Sequence, residues 1–309
     1  MRVGLVLEQP LVGLASDPFQ HGAYLGLQKA VRVLGVQGKV LSPPPTGSYV
    51  PPFSYLARQG YDLAIGIGFL QVRELSRVAR VFPKSHFAIL DARLEDVPNR
   101  PPNVEGTLFK TQEAAYLAGY LAAKMESKRP RPHVVSTVAG YPIPPVRAYV
   151  AGFQAGARRA DPTIKTLNAY TYDFVNGTKC AHAAQAQLAQ GTGVIFDVAG
   201  ACGVEALKAA QRAGAWGIGV DIDQSYLGRF VLTSVVKRLD VAVYDFAVAL
   251  RNGTFRTGGN KVFDLRNKGV ALGRFSPQVP PVLRRALARL AGEIAAGRIK
   301  VPSDLNRHG

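Results

Sequence analysis

The sequence predicts an α/β protein made of two doubly wound, Rossmann-like lobes. Three observations carry that expectation. Short apolar runs alternate with longer stretches of helical period, the pattern of βαβ units feeding a mostly parallel sheet. The alternation passes through two rounds of five strands, each round about 100 to 120 residues long, which is the size of one such domain. The 309 residues, 47% hydrophobic and 19% charged, can bury the cores of about two domains.

In the first round, strands are expected at 2–7, 37–42, 62–67, 86–90 and 104–109, each an apolar run bounded by polar or turn residues. Helical stretches begin near Phe19, Tyr49, Leu70 and Thr111. The second round offers strands near 133–138, 164–169, 194–198, 216–220 and 230–234, with helices near 144–160, 177–190 and 203–213. Val236 to Leu250 then has the spacing of an amphipathic helix, closed by Arg251-Asn252-Gly253 with a basic last turn and a glycine stop. Strand-like pieces at Val262–Leu265 and Val270–Leu272 and a basic helix from about Pro281 to Ala296 complete the chain. This tail is too small for a third domain. A leftover helix with strands is what remains when a chain crosses between two domains more than once, so a hinge of several strands and a ligand cleft between the lobes are expected. The Pro-rich segments 43–52 and 141–145 read as loops.

Composition narrows the function classes. Thirty-eight Lys and Arg against 21 Asp and Glu give +17, a surface that favours anionic surroundings. Residues 251–309 alone hold 12 basic and 3 acidic side chains, concentrated around Arg284, Arg285 and Arg289. No helix-turn-helix, RRM or zinc-finger pattern accompanies that charge, so it reads as a solvated face, or one meeting acidic lipid headgroups or a transporter surface, and nucleic acid is not the expected partner. No apolar run reaches the roughly 18 residues that span a bilayer. The chain opens on a strand-like Arg2-Val3-Gly4-Leu5-Val6-Leu7 with no secretory leader, as expected of either a cytoplasmic protein or a trimmed mature chain.

Enzymatic chemistry is hard to build. Gly66-Ile67-Gly68-Phe69-Leu70-Gln71 follows a strand but has Gln where a dinucleotide fingerprint needs its third Gly, so a turn is the better reading. No Walker A, HExxH or GxSxG pattern occurs, and the five histidines, at 21, 86, 133, 182 and 308, are scattered. No nucleophile, base and orienting group fall at useful spacings, and neither cofactor nor metal is expected. What recurs is polar and aromatic residues at the carboxyl ends of strands, where open α/β sheets bind ligands. Glu8 ends the first strand, Asp91 the fourth, and Tyr172-Asp173-Phe174, Ala199-Gly200-Ala201-Cys202-Gly203 and Asp221-Ile222-Asp223-Gln224 follow strands of the second round. Lys237 lies just after the strand at 230–234.

At these residues the chain resembles the basic membrane protein (PnrA-like) family of substrate-binding lipoproteins, whose characterised branch includes purine nucleoside receptors of ABC transporters. The likeness is carried by Phe19-Gln20 to Gly26, Phe109-Lys110-Thr111-Gln112-Glu113 to Leu117-Ala118-Gly119, and Val150-Ala151-Gly152-Phe153-Gln154-Ala155-Gly156. It continues through Phe196-Asp197-Val198-Ala199-Gly200, Gly219-Val220-Asp221-Ile222-Asp223-Gln224 and Leu232-Thr233-Ser234-Val235-Val236-Lys237. The resemblance implies the type I periplasmic binding protein fold with a three-segment hinge. The lobes would be 1–110 with about 232–260, and 111–231 with about 261–309.

It further implies that Phe19 and Phe174 sandwich a purine, a contact worth about 1 to 3 kcal/mol per base. Asp221 and Lys237 would hold the ribose hydroxyls, and Glu8 would accept from the base edge, with Asp91 and the backbone at Gly200 as further contacts. The family's Asp-Lys-Ser appears here as Ser16-Asp17-Pro18, its Asn as Gln20, and the loop from Glu8 to Phe19 is about two residues longer than the pattern. Cys180 and Cys202 lack metal-site spacing, and the small-residue turn around Cys202 favours buried thiols over a bridge.

The implied role is a non-enzymatic receptor for a purine nucleoside, presented to ABC transporter membrane subunits. It would be periplasmic or at the cell surface, held by a lipid anchor outside this sequence. A cytoplasmic ligand-sensing transcriptional regulator of the same fold is the alternative.

Overall fold

The computed structural model describes residues 1–9, 14, 17–130 and 132–305. Ser16, His308 and part of the longer Glu8-to-Phe19 loop lie outside them. The chain forms two compact units, Met1–Phe109 with Arg238–Phe263, and Lys110–Lys237 with Asp264–Gly309. It passes from one to the other three times, after Phe109, Lys237 and Phe263.

The first unit is built from β1 (Arg2–Val6), α1 (Pro18–Leu34), β2 (Gln37–Leu41), α2 (Val50–Arg58), β3 (Leu63–Ile67), α3 (Val72–Val81), β4 (Phe87–Leu90) and β5 (Val104–Phe109). A return segment adds α8 (Leu239–Arg251) and β11 (Asn260–Phe263), numbered in chain order. The sheet order is β11-β5-β4-β3-β1-β2, all parallel. Helices cover both faces, so β3 is buried at all five residues and reads as an unbroken apolar run. Local chemistry starts α1 where it does: Asp17 caps it by accepting from the Phe19 and Gln20 N–H groups, and Pro18 takes the first helical position. Gly35, in the left-handed region at φ 66°, ends it.

The second unit contains α4 (Thr111–Glu126), β6 (Val134–Ala139), α5 (Pro144–Ala160), β7 (Lys165–Tyr170), α6 (Gly177–Leu188), β8 (Val194–Val198), α7 (Gly200–Arg212), β9 (Trp216–Asp221) and β10 (Val231–Lys237). After the return segment come β12 (Val270–Leu272) and α9 (Pro281–Ala295). Its order, β12-β10-β9-β8-β6-β7, repeats that of the first unit, except that β12 runs antiparallel where β11 is parallel. Helices α4 and α5 touch backbone to backbone, because a Cβ at Gly119 would lie 1.9 Å from Phe153 O and one at Gly156 1.9 Å from Tyr116 O.

Three details differ from the sequence reading. Residues 236 and 237 extend β10 rather than opening a helix, since Val235, Val236 and Lys237 pair with β12. That strand stays with the second unit, bonded to β9 as well, whereas residues 260–263 pair with β5 and stay with the first. The cysteines are not thiols. Cys180 on α6 and Cys202 on α7 form a disulfide with Cα atoms 5.6 Å apart, because both helices start side by side above β8 and β6 and bring the two buried residues together.

Candidate functional site

Both sheets follow the 2-1-3-4-5 doubly wound order, β2-β1-β3-β4-β5 in one unit and β7-β6-β8-β9-β10 in the other. In such sheets ligands bind beyond the carboxyl ends of the strands, at the point where the winding reverses. That point lies between β1 and β3 in the first unit and between β6 and β8 in the second. The sequence-predicted residues fall at these two places or one or two strands along from them.

In the second unit Asp221 closes β9 and Lys237 closes β10, in neighbouring strands whose register pairs Asp221 with Val236. Asp221 is 5% exposed and Lys237 3%, with Lys237 Nζ 3.6 Å from Asp221 Oδ1. A buried ion pair of that separation needs further partners to offset its desolvation. Tyr149 on α5 supplies one, its hydroxyl donating to Asp221 Oδ1 at 3.0 Å. The same ring takes the ammonium 5.0 Å from its centroid, a cation–π contact, and is itself wedged edge-on against Phe196. Asp221 adopts φ 63°. A non-glycine residue held in that region is a local strain of the kind that collects at ligand-gripping positions.

Beside it the carboxyl ends of β6 and β7 carry an aromatic wall. Phe174 is half-buried, with Tyr141 tilted 5.3 Å away and Tyr172 standing edge-on to Tyr141 at 6.1 Å. The Phe174 ring lies on Gly140, where a Cβ would come within 2.1 Å of it. Its loop is tightly tied. Cys202 N–H donates to Phe174 O at 3.0 Å. Asp173 accepts from the Val175 and Asn176 N–H groups and meets Lys179 Nζ at 2.9 Å, so the Asn176 bond, then Lys179, holds its carboxyl down to about 2. Gly200, at φ 57°, begins α7 across the same end of the sheet.

In the first unit Glu8 follows β1 and Gly68 follows β3. Gly68 has φ 92°, and a Cβ there would meet Glu8 Oε1 at 2.0 Å and the Phe19 ring at 3.1 Å, so the bare glycine gathers these two side chains. Gln20 Oε1 accepts from the Glu8 and Gln9 N–H groups at 2.9 and 3.1 Å, while its amide donates to Asp17 Oδ2 at 2.7 Å. Burial raises the Asp17 carboxyl above its ordinary range. Tyr49 donates its hydroxyl to Glu8 O at 3.2 Å. Asp91 follows β4, the strand that corresponds to β9, and at φ 60° it has nearly the backbone of Asp221.

The structure thus brings Glu8 and Phe19 together in one unit and Phe174, Gly200, Asp221 and Lys237 to one sheet end in the other. Tyr149, Tyr141, Gln20 and Tyr49 escaped the sequence reading. Tyr149 sits among apolar residues at helical spacing and Tyr49 in a Pro-rich segment that reads as a loop, and only the departure of Gln20 from the family pattern marks it. Among the described residues no group of three His, Cys, Asp or Glu side chains is placed to hold a metal ion, and no helix is long and apolar enough to cross a membrane.

Residues 12–304 match the family described as ABC transporter substrate-binding protein PnrA-like. The nucleoside-binding protein BmpA of an ABC transporter of Lactococcus lactis is 30% identical over 273 residues, 82% of this chain and 75% of that one. An uncharacterized lipoprotein of Pyrococcus horikoshii is 32% identical over 264 residues, 82% of this chain and 64% of that one. Among solved structures, a solute-binding protein of an ABC transporter system from Aeropyrum pernix superposes with a TM-score of 0.88 at 25% identity, covering 99% of this chain and 94% of that one. The family likeness and the two-lobed α/β fold expected from the sequence are both borne out.

Proposed function

The chain belongs to the PnrA-like (Bmp) family of ABC transporter substrate-binding proteins, and from that premise we propose that it is a non-enzymatic receptor for a purine nucleoside. The observation that carries this reading is the buried Asp221–Lys237 pair with Tyr149 on its carboxylate. A vicinal diol is the chemistry such a pair suits: the carboxylate accepts from both hydroxyls, and the ammonium donates to them and keeps the buried charge neutralised. Phe174 on its glycine bed and Phe19 beside Glu8 are the two flat faces assigned to the base, with Glu8 accepting from a purine N–H. Asp91 and the Gly200 backbone complete the set. The ligand-bound form would be presented to the membrane subunits of the transporter.

The Lactococcus relative named for nucleoside binding and the Pyrococcus relative named a lipoprotein support a site of action outside the cytoplasm. So does the disulfide, since cytosolic thiol buffers keep such pairs reduced. Calorimetric titration with adenosine, guanosine, inosine and cytidine tests the reading. Binding of at least one purine nucleoside, with cytidine much weaker, is expected. A flat response to all four removes it, and release of free base on long incubation would make the protein an enzyme instead.

A further inference from the structure

The disulfide lies behind the aromatic wall. Cys180 and Cys202 are both fully buried, and they join the first turn of α6 to the first turn of α7. The segment between β7 and α6 is the loop that carries Phe174, so the bridge closes off the far end of that loop. Cys202 belongs to the bridge and, through its N–H, to Phe174 O at 3.0 Å. Thr171 Oγ1, at the near end of the loop, lies 3.9 Å from Cys180 Sγ and 4.0 Å from Cys202 Sγ while donating to Ala139 O at 3.1 Å. One covalent link therefore touches the loop at both ends and at the carbonyl of its aromatic residue. The ring itself lies on Gly140 with Tyr141 beside it.

We propose that the Cys180–Cys202 disulfide is a positioning element for ligand binding, which holds Phe174 in its stacking pose and acts on affinity through that residue alone. The inference rests on the reading of Phe174 as a base-stacking face. A stacking ring gives its full contribution only if its pose is set before the ligand arrives, since ordering a loop and a ring at binding opposes association. The bridge reaches Phe174 through the Cys202 N–H on its carbonyl, so its effect travels through the Phe174 main chain.

A double-mutant cycle tests it. Dissociation constants for adenosine, guanosine and inosine are measured for wild type, C180A/C202A, F174A and the triple variant. Removing the bridge is expected to raise the Kd about five- to tenfold when Phe174 is present, and to change it less than about twofold in the F174A background. An equal factor in both backgrounds, or no change with Phe174 present, overturns the proposal. If the alanine variants fail to fold, wild type and F174A are compared before and after reduction with a phosphine, with two free thiols titrated per chain, and the same outcomes apply. Absence of nucleoside binding by oxidised wild type defeats the receptor reading itself, whereas binding with an additive cycle defeats only this inference.

Discussion

The Tyr149 hydroxyl and the Lys237 ammonium converge on the same oxygen, Asp221 Oδ1, at 3.0 and 3.6 Å. The carboxylate thus meets a donor from α5 as well as one from the neighbouring strand. A hydrogen bond to a charged group is worth about 1.5 to 3 kcal/mol. Tyr149→Phe keeps the ring, the cation–π contact and the packing on Phe196 and removes only the donor. It is expected to raise the nucleoside Kd about tenfold, read by calorimetry; an unchanged Kd would show that Asp221 needs no help from Tyr149.

Lys237→Met leaves a carboxylate buried without its counter-charge. Breaking a buried pair in this way costs about 3 to 5 kcal/mol, whereas replacing both members is far milder. The single variant is expected to unfold at lower denaturant than wild type, and Asp221→Asn/Lys237→Met to recover most of the loss while still failing to bind. Additive losses in the double variant would argue that the two side chains do not form a unit.

Phe174→Ala and Phe19→Ala should each raise the Kd by a factor between about five and a hundred, from about 1 to 3 kcal/mol of stacking per ring. The two belong to different units and each is half-buried. Each variant should therefore retain its melting temperature within a few degrees, checked by scanning calorimetry. A Kd that moves for one ring only would reduce the sandwich to a single face.

How much of this could be read from the chain varies with the kind of information involved. Strands such as Leu63–Ile67 and Val194–Val198 are fully buried runs flanked by turn residues, and their placement followed from hydropathy alone. The end of β10 did not, because Val235-Val236-Lys237 suits a strand edge and a helix start equally, and only the partner strand β12 decides. Asp91 and Asp221 were legible because a carboxylate at a strand end is visible in one dimension. Tyr149 was not, since its spacing from Phe153 is that of an ordinary helix face and only the fold brings its hydroxyl to Asp221. The disulfide was misjudged for a similar reason: 22 residues of separation say nothing of two helix starts lying side by side.

Gly140→Ala isolates the pose of Phe174 from its identity. The new methyl would sit 2.1 Å from the ring, so the ring must move. Gly140 does not occupy the left-handed region, and alanine there strains no backbone. The variant is expected to match Phe174→Ala in affinity to within a factor of about three while keeping every side chain of the wall. Wild-type affinity in Gly140→Ala would mean that the ring rotates away at no cost and that its present position is not the one that binds.

Asp173 gives the site a dependence on acid. Its carboxyl is held at about 2 by the Asn176 N–H, then by Lys179 and the Val175 N–H, against burial, which acts the other way. A carboxyl whose folded pKa lies below its ordinary value of 3.8 stabilises the fold fully above that value. The contribution is lost as pH falls from there towards about 2, where the folded form also takes up its proton. Asp173→Asn lacks the term at every pH. Thermal melts of the two proteins between pH 6 and pH 2 should therefore show a gap that is constant at the upper end and closes below about pH 4. Because this carboxylate fastens the loop bearing Phe174, wild-type affinity should fall more steeply through the same window than that of Asp173→Asn. A gap that persists unchanged to pH 2 would mean that what Asp173 adds to stability does not depend on its carboxylate being ionised.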